Sequence, residues 1–211
     1  MTFDLLLITD PSIAGWRDAA VAVIEHAPRG RVALQVRDVR AGAAELAMLA
    51  RSLRDVTRAH GVPLLVNDRA DVARAVDADG AHLKERGLEV HDARVVLGER
   101  AIIGASCHDE AGLARRAGAD YVVLGPFADV PGKGDALGAQ RFASMVRTTR
   151  VPVLALGGID AARAADAVLA GAHGVAVIRA VLAAPDPVGA MRAMLGAIDA
   201  ARITRGTAPS S

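Results

Sequence analysis

The 211-residue chain is poor in aromatic side chains, with one Trp, one Tyr and three Phe. Proteins that hold single-stranded nucleic acid stack its bases on aromatic rings, so that function class is disfavoured. A charge excess of one sign is also missing. The 25 basic and 24 acidic residues leave a formal net charge of +1, and nothing in that balance calls for nucleic acid or an anionic membrane surface. Cys107 is the sole cysteine. That excludes an intrachain disulfide and fits a reducing, cytoplasmic setting. Long apolar runs are absent too. Leu5–Ile8 is too short to span a bilayer, and no basic segment precedes it, so no signal peptide is expected.

Aliphatic residues take the place of the missing rings. Hydrophobic residues make up 52% of the chain, ample for a core built from Ala, Val, Leu and Ile. Short apolar runs recur at 3–9, 31–36, 62–66, 79–83, 101–106, 120–125, 151–156 and 173–178. Between them lie segments rich in Ala, Arg and Leu. In 41–61, Leu46, Leu49, Ala50, Leu53 and Val56 keep a helical spacing. Gly61, Gly98, Gly118 and Gly171 stand where helices are expected to stop. Alternation of strand and helix predicts parallel strands covered by helices. The runs lack strict polar alternation, as strands buried on both faces do. Eight units predict an α/β fold, a single-domain (β/α)₈ TIM barrel at the short end of its size range. An open doubly wound sheet is the alternative, but no Gly-rich dinucleotide fingerprint follows the first strand. The barrel is expected over 1–204, with 205–211 ("RGTAPSS") a disordered tail.

Barrel enzymes place their chemistry at the C-terminal ends of the strands, and often hold phosphate after strands seven and eight. The seventh run ends in Gly157-Gly158 and the eighth in Ile178-Arg179. Glycine lets an anion approach the backbone, and a helix start supplies free N–H groups. These four residues are the expected phosphate cradle; a tight turn and a surface arginine are the plain alternative. Gln35 and Arg37 share a side of strand two, where arginine suits an anion or a carboxylate. Asn67 and Asp68 close strand three, either as ligands or with Asp68 capping the next helix. Ser106 and His108 share a side at the end of strand five. His108 is a candidate proton carrier or a helix-start packing residue. Cys107 has the opposite parity and is expected in the core. His82 reads as a buried structural histidine. The Gly- and Pro-rich loop 125–138 carries Lys133, which either meets an anionic group or is simply solvated.

The stretches "LLLITD", "QVRD", "VPLLVNDRADVARAVDADGAHL", "IIGASCH", "GADYVVLGPF", "VPVLALGGI" and "GAHGVAVIRAV" together resemble the thiamine phosphate synthase/TenI family over nearly the whole chain. The resemblance implies a (β/α)₈ barrel in thiamine biosynthesis, with a phosphorylated thiazole as its small-molecule partner and a possible homo-oligomer; the charge balance leads to the expectation of no nucleic acid or membrane partner. Synthases of the family join a pyrimidine diphosphate to the thiazole phosphate with Mg²⁺. TenI-type tautomerases aromatise a thiazole carboxylate phosphate by moving a proton, with a histidine and no metal. Synthases carry a lysine two residues after the arginine of Gln-x-Arg, where this chain has Val39. They also carry a metal-binding aspartate where this chain has Gly87. Loss of charge neutralisation weakens the diphosphate chemistry, although Lys84 or Lys133 could compensate in part.

The Ser-x-His of strand five and the loop "GKGDALG" resemble the TenI branch. The favoured expectation is therefore a thiazole tautomerase. His108 and Ser106 are its catalytic pair, and Gln35, Arg37, Asn67, Asp68 and Lys133 bind substrate, with no cofactor. The alternatives are an Mg²⁺-dependent synthase with Asp68 at the metal, and a non-catalytic binder of thiazole or thiamine phosphates.

Overall fold

The structure, a computed structural model, describes residues 3–132 and 134–207. Eight parallel strands close into a barrel in sequence order. They are β1 (Leu5–Ile8), β2 (Val32–Val36), β3 (Leu64–Asn67), β4 (Gly80–Leu83), β5 (Ile102–Cys107), β6 (Tyr121–Leu124), β7 (Val153–Leu156) and β8 (Gly174–Val177). Six fall within the apolar runs, and β3 and β5 extend one residue beyond theirs, to Asn67 and Cys107. The helices between them are α1 (Trp16–His26), α2 (Ala43–His60), α3 (Ala70–Ala75), α4 (Val90–Leu97), α5 (Glu110–Arg115), α6 (Gly138–Val146) and α7 (Ala161–Leu169). The short α8 (Arg179–Leu182) and the long α9 (Pro187–Thr207) follow β8. Closure is made by β1 against β8, with Leu5 opposite Val175 and Leu7 opposite Val177. This is the single-domain (β/α)₈ barrel expected from the sequence.

Strand parity divides the core in two. Leu6, Ile8, Leu65, Tyr121, Val123 and Leu154 form one cluster inside the ring. Leu5, Leu7, Val66 and Val122 belong to the larger cluster between strands and helices. Fully burying a side chain of this size contributes about 1.5–3 kcal/mol. Cys107 lies in the outer layer, 1% exposed, and burial pushes its thiol up to about 11. It is a packing residue there, as its parity predicts.

Helix ends follow the glycine expectation in part. Gly61 (φ 65°), Gly98 (φ 91°) and Gly171 (φ 106°) take positive φ just past α2, α4 and α7. Gly118 does not, because α5 has already closed at Arg115. At the other end of the chain α9 runs through Thr207, with Arg205 donating to the Val168 carbonyl at 2.9 Å. The segment from 205 is therefore helical as far as it is described. Residues 208–211, the rest of the expected tail, lie outside the described residues.

The N-terminal end of the barrel is tied by Asp4. Its carboxylate pairs with Arg31 and Arg202 and lies 3.5 Å from His173 Nε2. Burial alone raises the pKa of Asp4, but the hydrogen bonds from Arg202 and Arg31 outweigh it and hold the carboxyl below its usual range. No helix among the described residues is long and apolar enough to cross a membrane.

Candidate active site

A cleft of ≈ 620 Å³ opens at the C-terminal end of the barrel, within the usual range of about 300–1,000 Å³ for small-molecule sites. It brings together Gln35, Arg37, Asn67, Ser106, His108, Gly157, Gly158, Ile178 and Arg179, the residues expected there from sequence. Lys133 lies outside the described residues. Asp68 sits beside the cleft and reaches it through Lys84.

The phosphate-type end is built from β7 and β8. Gly157 (φ 104°) and Gly158 (φ 64°) both lie in the left-handed region. A Cβ on Gly157 would stand 2.8 Å from Pro126 Cα. The glycines therefore serve two ends. They permit the turn and the close approach of the 126–129 segment, and they bare the backbone beside Arg179. Ile178 is the N-cap of α8, whose first amides have no carbonyl partner within the helix.

Across the mouth, Gln35 Nε2 donates to Asn67 Oδ1 at 2.9 Å. Gln35 Oε1 is buried with no hydrogen-bond partner among the described residues. Asp68 does not cap α3, whose N-cap is Arg69 without a side-chain cap bond. Its backbone is left-handed instead (φ 64°), uncommon for a residue other than glycine and costing roughly 1–3 kcal/mol. The carboxylate takes Lys84 Nζ at 2.8 Å. Gly87 packs against it so closely that an added Cβ would meet Asp68 Oδ1 at 2.6 Å. Val39, where the resemblance places a synthase lysine, is 69% exposed.

His108 stands at the rim with Nδ1 3.1 Å from Glu85 Oε2. The helix-start role falls to its neighbour Asp109, which accepts from the Gly112 amide at 2.7 Å. An imidazole oriented by a carboxylate and open to a cleft can carry a proton to and from a bound substrate. Ser106 does not touch His108 in the hydrogen-bond network. It lies 3.0 Å from Nε2 of His82, whose Nδ1 is 3.0 Å from the Tyr121 hydroxyl. Burial, with help from Arg37 and against Asp68, lowers the His82 pKa to about 3, so the ring is neutral.

Three residues of this site escape a reading by motif. Glu85 and Tyr121 carry no recognisable signature, although Tyr121 has inward parity on β6. Arg116, 1% exposed, is the third. It donates to the carbonyls of Leu88 (2.6 Å), Lys84 (3.0 Å) and Glu85 (3.0 Å), and so holds the loop that presents Lys84 and Glu85.

As built, this donor set does not fit a divalent cation. Asp68 is engaged by an ammonium group, Gly87 adds no ligand beside it, and the described residues contain no cluster of three metal-ligating side chains. The cleft instead offers cations for anionic groups, a carboxylate-oriented imidazole and a glycine-lined backbone.

A profile of the thiamine monophosphate synthase family matches residues 5–181. A Geobacter sulfurreducens protein that carries a provisional thiamine-phosphate synthase name is 43% identical over 182 residues, 83% of this chain and 85% of that protein. The thiamine-phosphate synthase of Roseiflexus sp. is 41% identical over 178 residues, 82% of this chain and 75% of that protein. The solved thiamine phosphate pyrophosphorylase of Pyrococcus furiosus superposes with a TM-score of 0.82 at 30% identity, covering 94% of this chain and 96% of that one.

Proposed function

The chain belongs to the thiamine monophosphate synthase family, and from that premise we propose that it couples a pyrimidine diphosphate to a phosphorylated thiazole, releasing pyrophosphate. It is an enzyme of thiamine biosynthesis. The synthase reading, not the tautomerase expectation, is the one its relatives support, and a relative of that name aligned over 82% of the chain carries it. The cleft fits the reading in two respects. It is large enough for two small substrates, and Arg37, Lys84 and Arg179 line it with positive charge. In the proposed reaction the thiazole nitrogen attacks the pyrimidine methylene while its bond to the diphosphate oxygen breaks. Positive side chains offset the charge that develops on the departing diphosphate. The thiazole phosphate rests on the Gly157-Gly158 backbone and the start of α8, with Arg179 beside it. Gln35 and Asn67 orient the ring of a bound substrate by hydrogen bonds.

A second reading, thiazole tautomerisation, is favoured by one observation: the His108–Glu85 pair beside an Asp68 already occupied by Lys84. There His108 moves the proton and Arg37 holds the carboxylate.

One paired assay separates the two. The protein is incubated with hydroxymethylpyrimidine diphosphate and thiazole phosphate, with Mg²⁺ or with EDTA. In parallel it is given thiazole carboxylate phosphate alone, followed by NMR. Thiamine phosphate formation is the expected result. Its absence, together with aromatisation of the carboxylate substrate, replaces the first reading with the second. Binding without turnover in either arm leaves a phosphate-binding barrel.

A further inference from the structure

The hydrogen-bonded chain Tyr121–His82–Ser106 runs from the barrel interior to the cleft, across three strands. His82 on β4 lies in register with Gly104 on β5, and Gly104 with Tyr121 on β6. Only glycine fits between them, since a Cβ at 104 would stand 2.4 Å from the Tyr121 hydroxyl oxygen. We propose that Tyr121 and His82 are positioning residues that lock the His82 ring as its Nε2–H tautomer, so that the Ser106 hydroxyl donates its hydrogen to an acceptor atom of the bound substrate.

The chain of donors starts at the phenol. Tyr121 is fully buried, and its hydroxyl hydrogen needs an acceptor. The partner in place is His82 Nδ1 at 3.0 Å. If Nδ1 itself carried a hydrogen, the phenol hydrogen would face it and remain unsatisfied. Burying an unsatisfied donor favours the other arrangement by about tenfold or more. Nδ1 is therefore bare. His82 is neutral, because burial opposes its protonation. The single ring hydrogen then sits on Nε2 and is donated to Ser106 Oγ at 3.0 Å. Ser106 accepts along that line, so its own hydrogen points away from His82. Ser106 is half-buried and lines the cleft, and the hydrogen is free for a ligand there.

The Nε2–H tautomer also excludes a rival role for Ser106. A Ser–His contact of this length is also the geometry of an activated nucleophile. Activation needs a bare Nε2 to take the serine proton, which the phenol forbids. Ser106 is a hydrogen-bond donor to substrate, and His82 is no base for it. That Ser106 meets substrate rests on the cleft being the active site; the tautomer does not.

The first test needs no variant. In the full-length protein, long-range ¹H–¹⁵N correlations of the His82 ring at neutral pH are expected to show Nε2 protonated and Nδ1 bare. The Nδ1–H tautomer, or an imidazolium ring, overturns the relay whatever the reaction turns out to be. The second test is a cycle of Tyr121→Phe, Ser106→Ala and the double variant, assayed on whichever reaction the paired assay detects. Each single change is expected to lower kcat/KM by about tenfold. The double variant is expected to be no worse than Ser106→Ala. Additive losses would mean that Tyr121 acts other than through Ser106 and would overturn the coupling. A normal tautomer with neither reaction detected counts against the functional reading only.

Discussion

Two single residues carry sharply different expectations. Gly157 combines a φ of 104° with a backbone neighbour 2.8 Å from any added Cβ. Gly157→Ala is expected to cost about 1–3 kcal/mol in urea denaturation and to weaken phosphate binding in a calorimetric titration. Retained stability with retained affinity would contradict the cradle. His108 is exposed and paired with Glu85, so His108→Asn should leave the fold's urea midpoint unchanged. Under the tautomerase reading it lowers proton transfer by about 10²-fold or more; under the synthase reading the loss in coupling is small. The sequence makes both residue types visible, a glycine pair at a strand end and a histidine at another. It does not reveal that Pro126 presses on Gly157 or that Glu85 reaches His108, because both partners come from a different strand's loop. Asp68 shows the limit most clearly. Its place before α3 suggests a cap, but the left-handed backbone turns the carboxylate toward Lys84 instead.

Elements are legible where local pattern decides them. None of the eight strands extends more than one residue beyond its apolar run, because parallel barrel strands are covered on both faces and are built largely from apolar residues. The loop after β4 is a different case. Lys84, Glu85 and Leu88 are arranged by a guanidinium from the end of α5, 28 to 32 residues later in the chain. No spacing rule links them. Arg116→Leu removes donors from three carbonyls and is expected to cost about 2–4 kcal/mol in chemical denaturation. It should also release Lys84 and Glu85 and so lower activity well beyond the loss of folded protein. Activity that simply tracks the folded fraction would show that this loop does not position the site.

At the scale of the whole molecule, burial sets the response to acid. Burial lowers the His82 pKa to about 3, and burial, reinforced by Arg202, also lowers that of His173. Unfolded histidine titrates near 6.5. Between pH 6.5 and about 3 the unfolded chain therefore binds more protons than the folded one. Stability is full above pH 6.5 and falls as the pH drops, by at most about 1.4 kcal/mol per pH unit for His82. Urea midpoints measured from pH 7.5 to 4.5 are expected to decline over that span, before the carboxylate of Asp4 is reached. A flat profile would mean that His82 is not buried as a neutral ring.

The sequence by itself determined the barrel and which residues share a side of a strand, Gln35 with Arg37 and Ser106 with His108, because a two-residue strand period and apolar covering are local properties. Only the tertiary structure decided which of these groups meet. Closing the barrel brings Tyr121, His82 and Ser106 from three strands into one chain of hydrogen bonds, and places Lys84 on Asp68 beside Gly87. Hydrogen bonds and ion pairs depend on distances of a few ångströms between segments far apart in sequence, and those distances exist only once the sheet has closed.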